Sequence, residues 1–299
     1  MTPTASLRSL IDADGSHLVL GVYDALTARI GERLGYQVLF LTGFGVAATL
    51  VGVPDIGLVT LTESVDACRR ICDLVDVPVV ADADTGYGGV LNVRRTVRMF
   101  ERAGAAGLHL EDQVTPKRCG HMSAKQVIPT VEMVAKIRSA LDARSDANFC
   151  IIARTDARAV EGLDSALERA HAYHDAGADA IFVEAPEAAS EIERIATELD
   201  CPLVFNWSYD GVTPHVARSW LGSLGYRLIL FPDIVFAAHR ALSTFATQLS
   251  TAESLDSLTS QLTGFRDFNA FVELDEWRTI EERYAVRPDL EAHLPKRES

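Results

Sequence analysis

GLHLEDQVTPKRCGH, residues 107–121, reads as a strand that runs out into a chemically loaded loop. Leu108 and Leu110 alternate with His109 and Glu111, as on a strand whose successive side chains face opposite sides. Pro116 cannot continue a central strand, so the chain leaves the sheet before it. Glu111 and Asp112 then fall at the strand's carboxyl end, with Lys117, Arg118, Cys119, Gly120 and His121 on the loop beyond. Positive neighbours and free backbone N–H groups lower a thiol's pKa, so Cys119 is expected to be an activated thiol.

The same strand-then-helix rhythm extends in both directions. Apolar runs at 18–22, 38–41, 77–81, 107–110, 149–153, 180–183, 203–205 and 228–231 predict eight strands. Helical patterns separate them, with Thr62 as the expected cap of one helix and Gly177 closing another. Nearly continuous apolar strands alternating with helices describe a parallel sheet covered by helices. Eight such units close a TIM (β/α)8 barrel. A doubly wound open sheet would want a Gly-rich phosphate loop after its first strand, and none follows residues 20–24. The barrel is assigned to residues 1–249. Residues 250–299 form a C-terminal helical segment, in which Phe268, Phe271, Leu274 and Trp277 recur at helical spacing over 265–284. That segment suits either a helix packed on its own barrel or a contact with a neighbouring subunit.

The 299 residues are 48% hydrophobic, enough for a large core, and carry a net charge of −14 with a pI near 5.0. Such acidity argues against nucleic acid or an anionic membrane as a partner, though not against a small anion in a locally basic pocket. The N-terminus lacks the apolar region of a signal peptide, and the most apolar stretch, 38–54, is too short and too interrupted to span a membrane. Five cysteines, an odd number, suggest a reducing cytoplasm without disulfides. Cys68 and Cys72 read as packed helix residues, and Cys150 and Cys201 as small core residues.

Polar residues gather where strands end: Thr42 and Gly43, Asp82 and Asp84, His109 and Glu111, Arg154 and Asp156, Glu184, and Asn206. In a barrel these converge on the carboxyl-end mouth, where barrel active sites lie. Asp82, Asp84 and Glu111 would repel one another unless neutralised. A hard divalent cation with oxygen ligands does this, so the cluster is read as a Mg²⁺ site, with Mn²⁺ as the alternative ion. Zinc is set aside because no Cys/His ligand spacing accompanies it. Arg154, Lys117 and Arg118 can hold substrate carboxylates, and the backbone N–H groups of Thr42, Gly43 and Phe44 can cradle another anion. Metal, cations and thiol together suit the stabilisation of an enolate of a carboxylic acid.

These motifs resemble the isocitrate lyase and phosphoenolpyruvate mutase superfamily, specifically its lyase branch of methylisocitrate and 2,3-dimethylmalate lyases. The resemblance runs from about residue 21 to residue 249, through VYDALTARIGERLGY, LTGFGVAATLVGVPDIG, ADADTGYG, GLHLEDQ, PKRCGH, ARTDA and FVEAP in order. It implies a TIM barrel with an exchanged helix, assembled as a homo-oligomer, dimer or tetramer. It implies Asp84 as direct Mg²⁺ ligand, with Asp82, Glu111 and Asp55 supporting the ion mainly through water. Thr42, Gly43 and Phe44 would bind a 2-oxo acid's carboxylate, where the lyases commonly show Ser-Gly-Gly. Arg154 would bind a substrate oxygen or carboxylate, and Glu184 and Asn206 would line the pocket. Cys119 would protonate the departing enolate carbon, beside Gly120 and His121. The implied reaction is a retro-aldol-type cleavage of a 2-hydroxy dicarboxylate to a 2-oxo acid and a carboxylate.

Two stretches depart from the pattern. Methylisocitrate lyases tend to carry an arginine shortly after the last strand, where this chain reads FPDIVFA. The lyases also usually place a glutamate three residues after the pocket asparagine, where Trp207, Ser208 and Tyr209 follow Asn206 here. One carboxylate fewer on the substrate is the expectation, in alkyl-substituted dicarboxylates or oxaloacetate. Oxaloacetate hydrolysis or decarboxylation, and phosphonopyruvate P–C chemistry, are the alternatives on this scaffold. A non-catalytic metabolite-binding barrel is the alternative of a different class.

Overall fold

The computed structural model describes residues 1–285, and eight parallel strands close into a barrel in chain order. They are β1 (His17–Val22), β2 (Leu39–Leu41), β3 (Val79–Asp82), β4 (Gly107–Glu111), β5 (Cys150–Thr155), β6 (Ala180–Val183), β7 (Leu203–Asn206) and β8 (Tyr226–Phe231). Closure comes from β1, which pairs with β2 on one side and β8 on the other. Register puts Asp82 beside His109 and Glu111 beside Arg154, so neighbouring strands level their polar ends at one mouth.

Alternation along each strand sorts its side chains into two cores. On β5, Cys150 and Ile152 enter the barrel interior while Ile151 and Ala153 meet the surrounding helices. The interior is a packed core in which Val80, Phe182, Val204 and Leu228 meet. It is capped from below by α1 (Pro3–Asp12), whose Leu7 and Ile11, one helical turn apart, are fully buried there. No helix is evident at that position in the sequence, because only one short apolar stripe marks it. Thr2 caps it by accepting the Ala5 N–H, and Pro3 stands at its first turn.

The covering helices are α2 (Ala25–Arg33), α3 (Gly43–Val46), α4 (Leu61–Cys72), α5 (Val90–Arg102), α6 (Thr130–Ala143), α7 (Arg158–Glu161), α8 (Leu163–Asp175), α9 (Ala189–Glu198) and α10 (Arg218–Ser223). Thr60, not Thr62, caps α4. Glu63, three residues on, reaches back to the Thr60 N–H and completes a reciprocal capping box.

The chain divides into two compact units, Met1–Ala237 and a second from Ala238 onward. The last three helices are α11 (Ile234–Leu249), α12 (Phe265–Phe271) and α13 (Leu274–Tyr284). The single helix expected over 265–284 is two, broken where Glu273 takes a left-handed backbone with φ 64°. The part of the C-terminal expectation beyond Ala285 lies outside the described residues. Among the described residues no helix is long and apolar enough to cross a membrane.

Gly107 begins β4 because no side chain fits there. A Cβ would lie 2.6 Å from the Cys150 carbonyl oxygen and 3.1 Å from Leu7. Gly107→Ala is therefore expected to destabilise the barrel by about 1–3 kcal/mol through overpacking of its floor. An unchanged denaturation midpoint would show that the β5 backbone and α1 both yield freely.

Candidate active site

The mouth is built from strand ends and the loops that follow them. At the end of β3, Asp82 accepts the Asp84 N–H at 3.0 Å and the Gly43 N–H at 3.2 Å, and its Oδ1 lies 2.9 Å from His109 Nε2. Gly43, expected to bind substrate through its amide, thus already spends that N–H on Asp82. Thr42 serves as N-cap of α3, accepting the Gly45 N–H. Burial opposes the Asp82 charge, but His109, Lys117 and Arg154 outweigh it and hold this carboxyl well below the usual range.

Asp84 is tuned the other way. Its carboxyl is pushed up to about 6, first by burial, with Asp82 and Asp55 adding like charge against the pull of Lys117. Glu111 is also driven upward, chiefly by burial. Lys117 reaches between Asp55 and Asp84, with Nζ 2.5 Å from one carboxylate and 2.8 Å from the other. Lys117, with an Arg154 that is shared with Asp156 and Glu184, leaves these four carboxylates short of positive charge. Asp84 Oδ1, although ion-paired with Lys117, and Glu111 Oε1 are buried without hydrogen-bond partners. Among the described residues no three acidic, His or Cys side chains converge on one point as a ready-made metal cage. This donor set fits an ion that takes few protein oxygens and keeps its waters, which is the habit of Mg²⁺.

The loop between β4 and α6 lies over the mouth. Gln113 grips the Arg118 backbone from both sides, accepting its N–H at 2.9 Å and donating to its carbonyl at 2.8 Å. The Cys119 N–H donates to the Asp55 carbonyl at 3.1 Å, and Lys125 ties the Gly120 carbonyl to Asp156. Gly120 is pressed so close that a Cβ would meet Arg154 Nη2 at 2.5 Å and Glu184 at 2.7 Å. The thiol does not behave as its basic neighbours suggest. Burial, reinforced by the charges of Asp55 and Glu184, pushes Cys119 up to about 11. Lys117, which should have lowered it, is absorbed by carboxylates. Cys119 is therefore a protonated thiol at neutral pH, suited to donating a proton rather than attacking as a thiolate.

Arg154, on β5, is buried and shared. It makes a two-pronged contact with Asp156 at 2.9 and 3.1 Å and lies 3.3 Å from Glu184 and 3.5 Å from Glu111. Its charge is secure: burial works against it, but Asp156, Glu184 and Glu111 outweigh that. His121 Nδ1 accepts the Val212 N–H, which leaves the ring proton on Nε2, 3.3 Å from Glu184 Oε1. Asn206 donates to the same Glu184 oxygen at 3.1 Å.

These groups surround a cavity of about 290 Å³. Thr42, Phe44, Asp55, Asp82, His109 and Lys117 line it, as do Cys119, Gly120, His121, Arg154 and Asn206. Gly43, Asp84, Glu111 and Glu184 stand behind that lining. Sequence reasoning placed Asp156 and Asp112 at strand ends but gave them no role; Asp156 shapes Arg154, and Asp112 receives Thr155, the Asp156 N–H and Tyr173 at 2.7–2.9 Å. An Arg-x-Asp pair at a strand end was the available signal for the first. Tyr209, in the stretch that departs from the lyase pattern, also lines the cavity, as do Ser208 and Asp233, which carried no such signal.

Residues 7–250 match the family described as phosphoenolpyruvate phosphomutase. The chain belongs to the phosphoenolpyruvate mutase/isocitrate lyase superfamily. Within that superfamily it is 40% identical to 2,3-dimethylmalate lyase of Eubacterium barkeri, across 96% of this chain and 99% of that one. It is 42% identical to 2-methylisocitrate lyase of Salmonella typhimurium, across 84% of each. Among solved structures, oxaloacetate acetylhydrolase in complex with 3,3-difluorooxalacetate aligns with a TM-score of 0.89 at 31% identity, covering 96% of this chain and all of that one. Phosphonopyruvate hydrolase complexed with oxalate and Mg²⁺ aligns with a TM-score of 0.87 at 26% identity, covering 96% of this chain and all of that one. The superfamily thus joins enzymes that break C–C and P–C bonds of small acids on this barrel.

Proposed function

We propose that this chain is a divalent-metal-dependent carbon–carbon lyase that cleaves an alkyl-substituted 2-hydroxy dicarboxylate to a 2-oxo acid and a carboxylate. The observation that carries this reading is the Cys119 thiol lining the same cavity as a surplus of carboxylates, where burial pushes its pKa up to about 11. Asp84 would hold the ion directly, with Asp82, Glu111 and Asp55 supporting it through water. Bound there, Mg²⁺ or Mn²⁺ would stabilise the negative charge that develops on the 2-oxo acid oxygens. Arg154 binds a substrate carboxylate, and the Phe44 amide, beside Thr42 and Gly43, offers a donor to the other end. A base removes the 2-hydroxyl proton, the C2–C3 bond breaks, and its electron pair passes to the departing carboxylate as an enolate. Cys119 then gives its proton to that enolate carbon, while Lys117 and His121 keep the surroundings polar and ordered. The docked 112–129 loop excludes water from the enolate.

Likeness to oxaloacetate acetylhydrolase supports a second reading, hydrolysis of oxaloacetate at the same site. Incubation of candidate acids with Mg²⁺ and identification of both products separates the two. A 2-oxo acid plus a longer carboxylate supports the lyase; oxalate plus acetate supports the hydrolase. Chelation with EDTA is expected to abolish turnover, and excess Mg²⁺ or Mn²⁺ to restore it. Full activity after exhaustive chelation would remove the metal from the mechanism.

The C-terminal unit suggests a homo-oligomer with exchanged helices. Phe265, Trp277 and Tyr284 are 87%, 66% and 74% exposed, apolar surface of the kind that a protein–protein contact covers. We read residues 1–249 as the catalytic barrel and 250–299 as the oligomer contact. Light scattering is expected to give two or four times the 32.5 kDa chain mass, and truncation after Leu249 to lower it. A monomeric full-length chain would end this reading.

A further inference from the structure

The cavity is divided by charge. Every cationic or imidazole side chain lining it, from His109, Lys117, Arg118, His121 and Arg154, comes from β4, β5 or the loop after β4. The opposite wall, supplied by the ends of β2, β7 and β8, contributes none of its own; His121 rests against its β7 loop through the Val212 N–H, and Asp210 stands exposed on that loop. On this wall Phe44 and Phe236 meet edge to face with ring centroids 5.3 Å apart, and Leu230 and Pro232 extend the apolar surface. Asp233 stands in that wall, 7% exposed. Its Oδ2 accepts both the Ser208 hydroxyl at 2.8 Å and the Tyr209 N–H at 2.6 Å. Among the described residues no Lys, Arg or His pairs with it. A fixed carboxylate without a counter-cation therefore faces the cavity from its apolar side.

We propose that Asp233 is a specificity-determining residue which, with the Phe44–Phe236 wall, admits an uncharged alkyl substituent on the substrate and rejects a third carboxylate. The inference rests on the lyase reading above and goes further by naming the residue that enforces the choice of acid. A dicarboxylate can place both charges on the cationic half, leaving any substituent to cross toward the far wall. An alkyl group is desolvated there against aromatic carbon. A carboxylate would be stripped of water with no cation to receive it, beside a like charge. Rejection by an unpaired charge is how a site discriminates among ligands that share every other contact. The relatives do not settle this choice, since dimethylmalate carries two carboxylates and 2-methylisocitrate three, while the identities are 40% and 42%.

The test compares binding of two unreactive acids that differ only at the substituent, 2-ethylsuccinate and tricarballylate, by calorimetry with Mg²⁺ present. The intact protein is expected to bind 2-ethylsuccinate about 30-fold more tightly, the scale of one uncompensated like charge at short range. In Asp233→Asn the amide oxygen can still accept from Ser208 and Tyr209, and the ratio is expected to shrink about tenfold. A native protein that binds the two acids within threefold, prefers tricarballylate or binds neither overturns the proposal. So does an unchanged ratio in Asp233→Asn. If that variant does not fold, the native comparison alone decides. Turnover of no 2-hydroxy dicarboxylate would sink the lyase reading separately, because the binding ratio does not depend on catalysis.

Discussion

Cys119→Ala is expected to lower kcat by about 10²–10⁴-fold, the range for removing a positioned general acid. Fold and Mg²⁺ affinity should be unchanged, because the Cys119 side chain holds up neither the loop nor the carboxylate cluster. The loop is held instead by the Cys119 N–H on the Asp55 carbonyl and by Gln113 and Lys125, all retained in the variant. The thiol's protonation state gives an independent check. With its pKa pushed up to about 11, the fraction present as thiolate rises about tenfold for each pH unit between 7 and 10. Alkylation of Cys119 by iodoacetamide, mapped by mass spectrometry, should climb in step. A plateau already reached at pH 7 would mean a thiolate, and a nucleophile or metal ligand in place of a proton donor. Retention of full kcat in Cys119→Ala would assign the final proton transfer to another group.

The second large effect belongs to Asp156, which the catalytic scheme does not use directly. Asp156 is buried and pairs with Arg154 through two hydrogen bonds and with Lys125 at 2.8 Å. Replacing it by Asn leaves two buried cations short of charge, a change that typically costs about 3–5 kcal/mol. Arg154 keeps Glu111 and Glu184 and would swing toward them. Activity should therefore fall along with stability, since the guanidinium would no longer face substrate. Burial disfavours the Asp156 charge, but Arg154 and Lys125 outweigh it and hold its pKa below the unfolded value. Its contribution is thus complete above the ordinary carboxylate range and fades only as pH falls below that range. Denaturation of Asp156→Asn at fixed protein concentration should show the full deficit from pH 6 to 8, and wild type and variant should approach each other only in acid. A deficit below about 1 kcal/mol would mean that Glu111 and Glu184 fully replace the lost partner.

Some of this architecture was legible because its cause is local. β6 is a run of four buried apolar residues between a glycine-closed helix and a polar strand end, and its predicted and observed limits coincide at 180–183. The same applies to the eightfold rhythm. The strand-end residues could be gathered at one mouth in advance, since parallel closure leaves them nowhere else to go. α1 was not legible, because Leu7 and Ile11 become a core stripe only when a barrel floor exists to receive them. Nor was the break at Glu273, a single left-handed residue within an otherwise helical pattern. The thiol was misread for a related reason. Lys117 and Arg118 look like activators of Cys119 in the sequence, yet in space Lys117 belongs to Asp55 and Asp84.

By itself the chain's sequence determined a barrel with its acids, cations and thiol at one end, because apolar period and strand-end polarity are properties of neighbouring residues. Tertiary structure alone decided which charges cancel. It spent Lys117 on two carboxylates, kept the Cys119 proton in place by burial, and set Asp233 without a counter-cation opposite Arg154. Electrostatic energy depends on distance and burial across the fold, and neither is written in residue order.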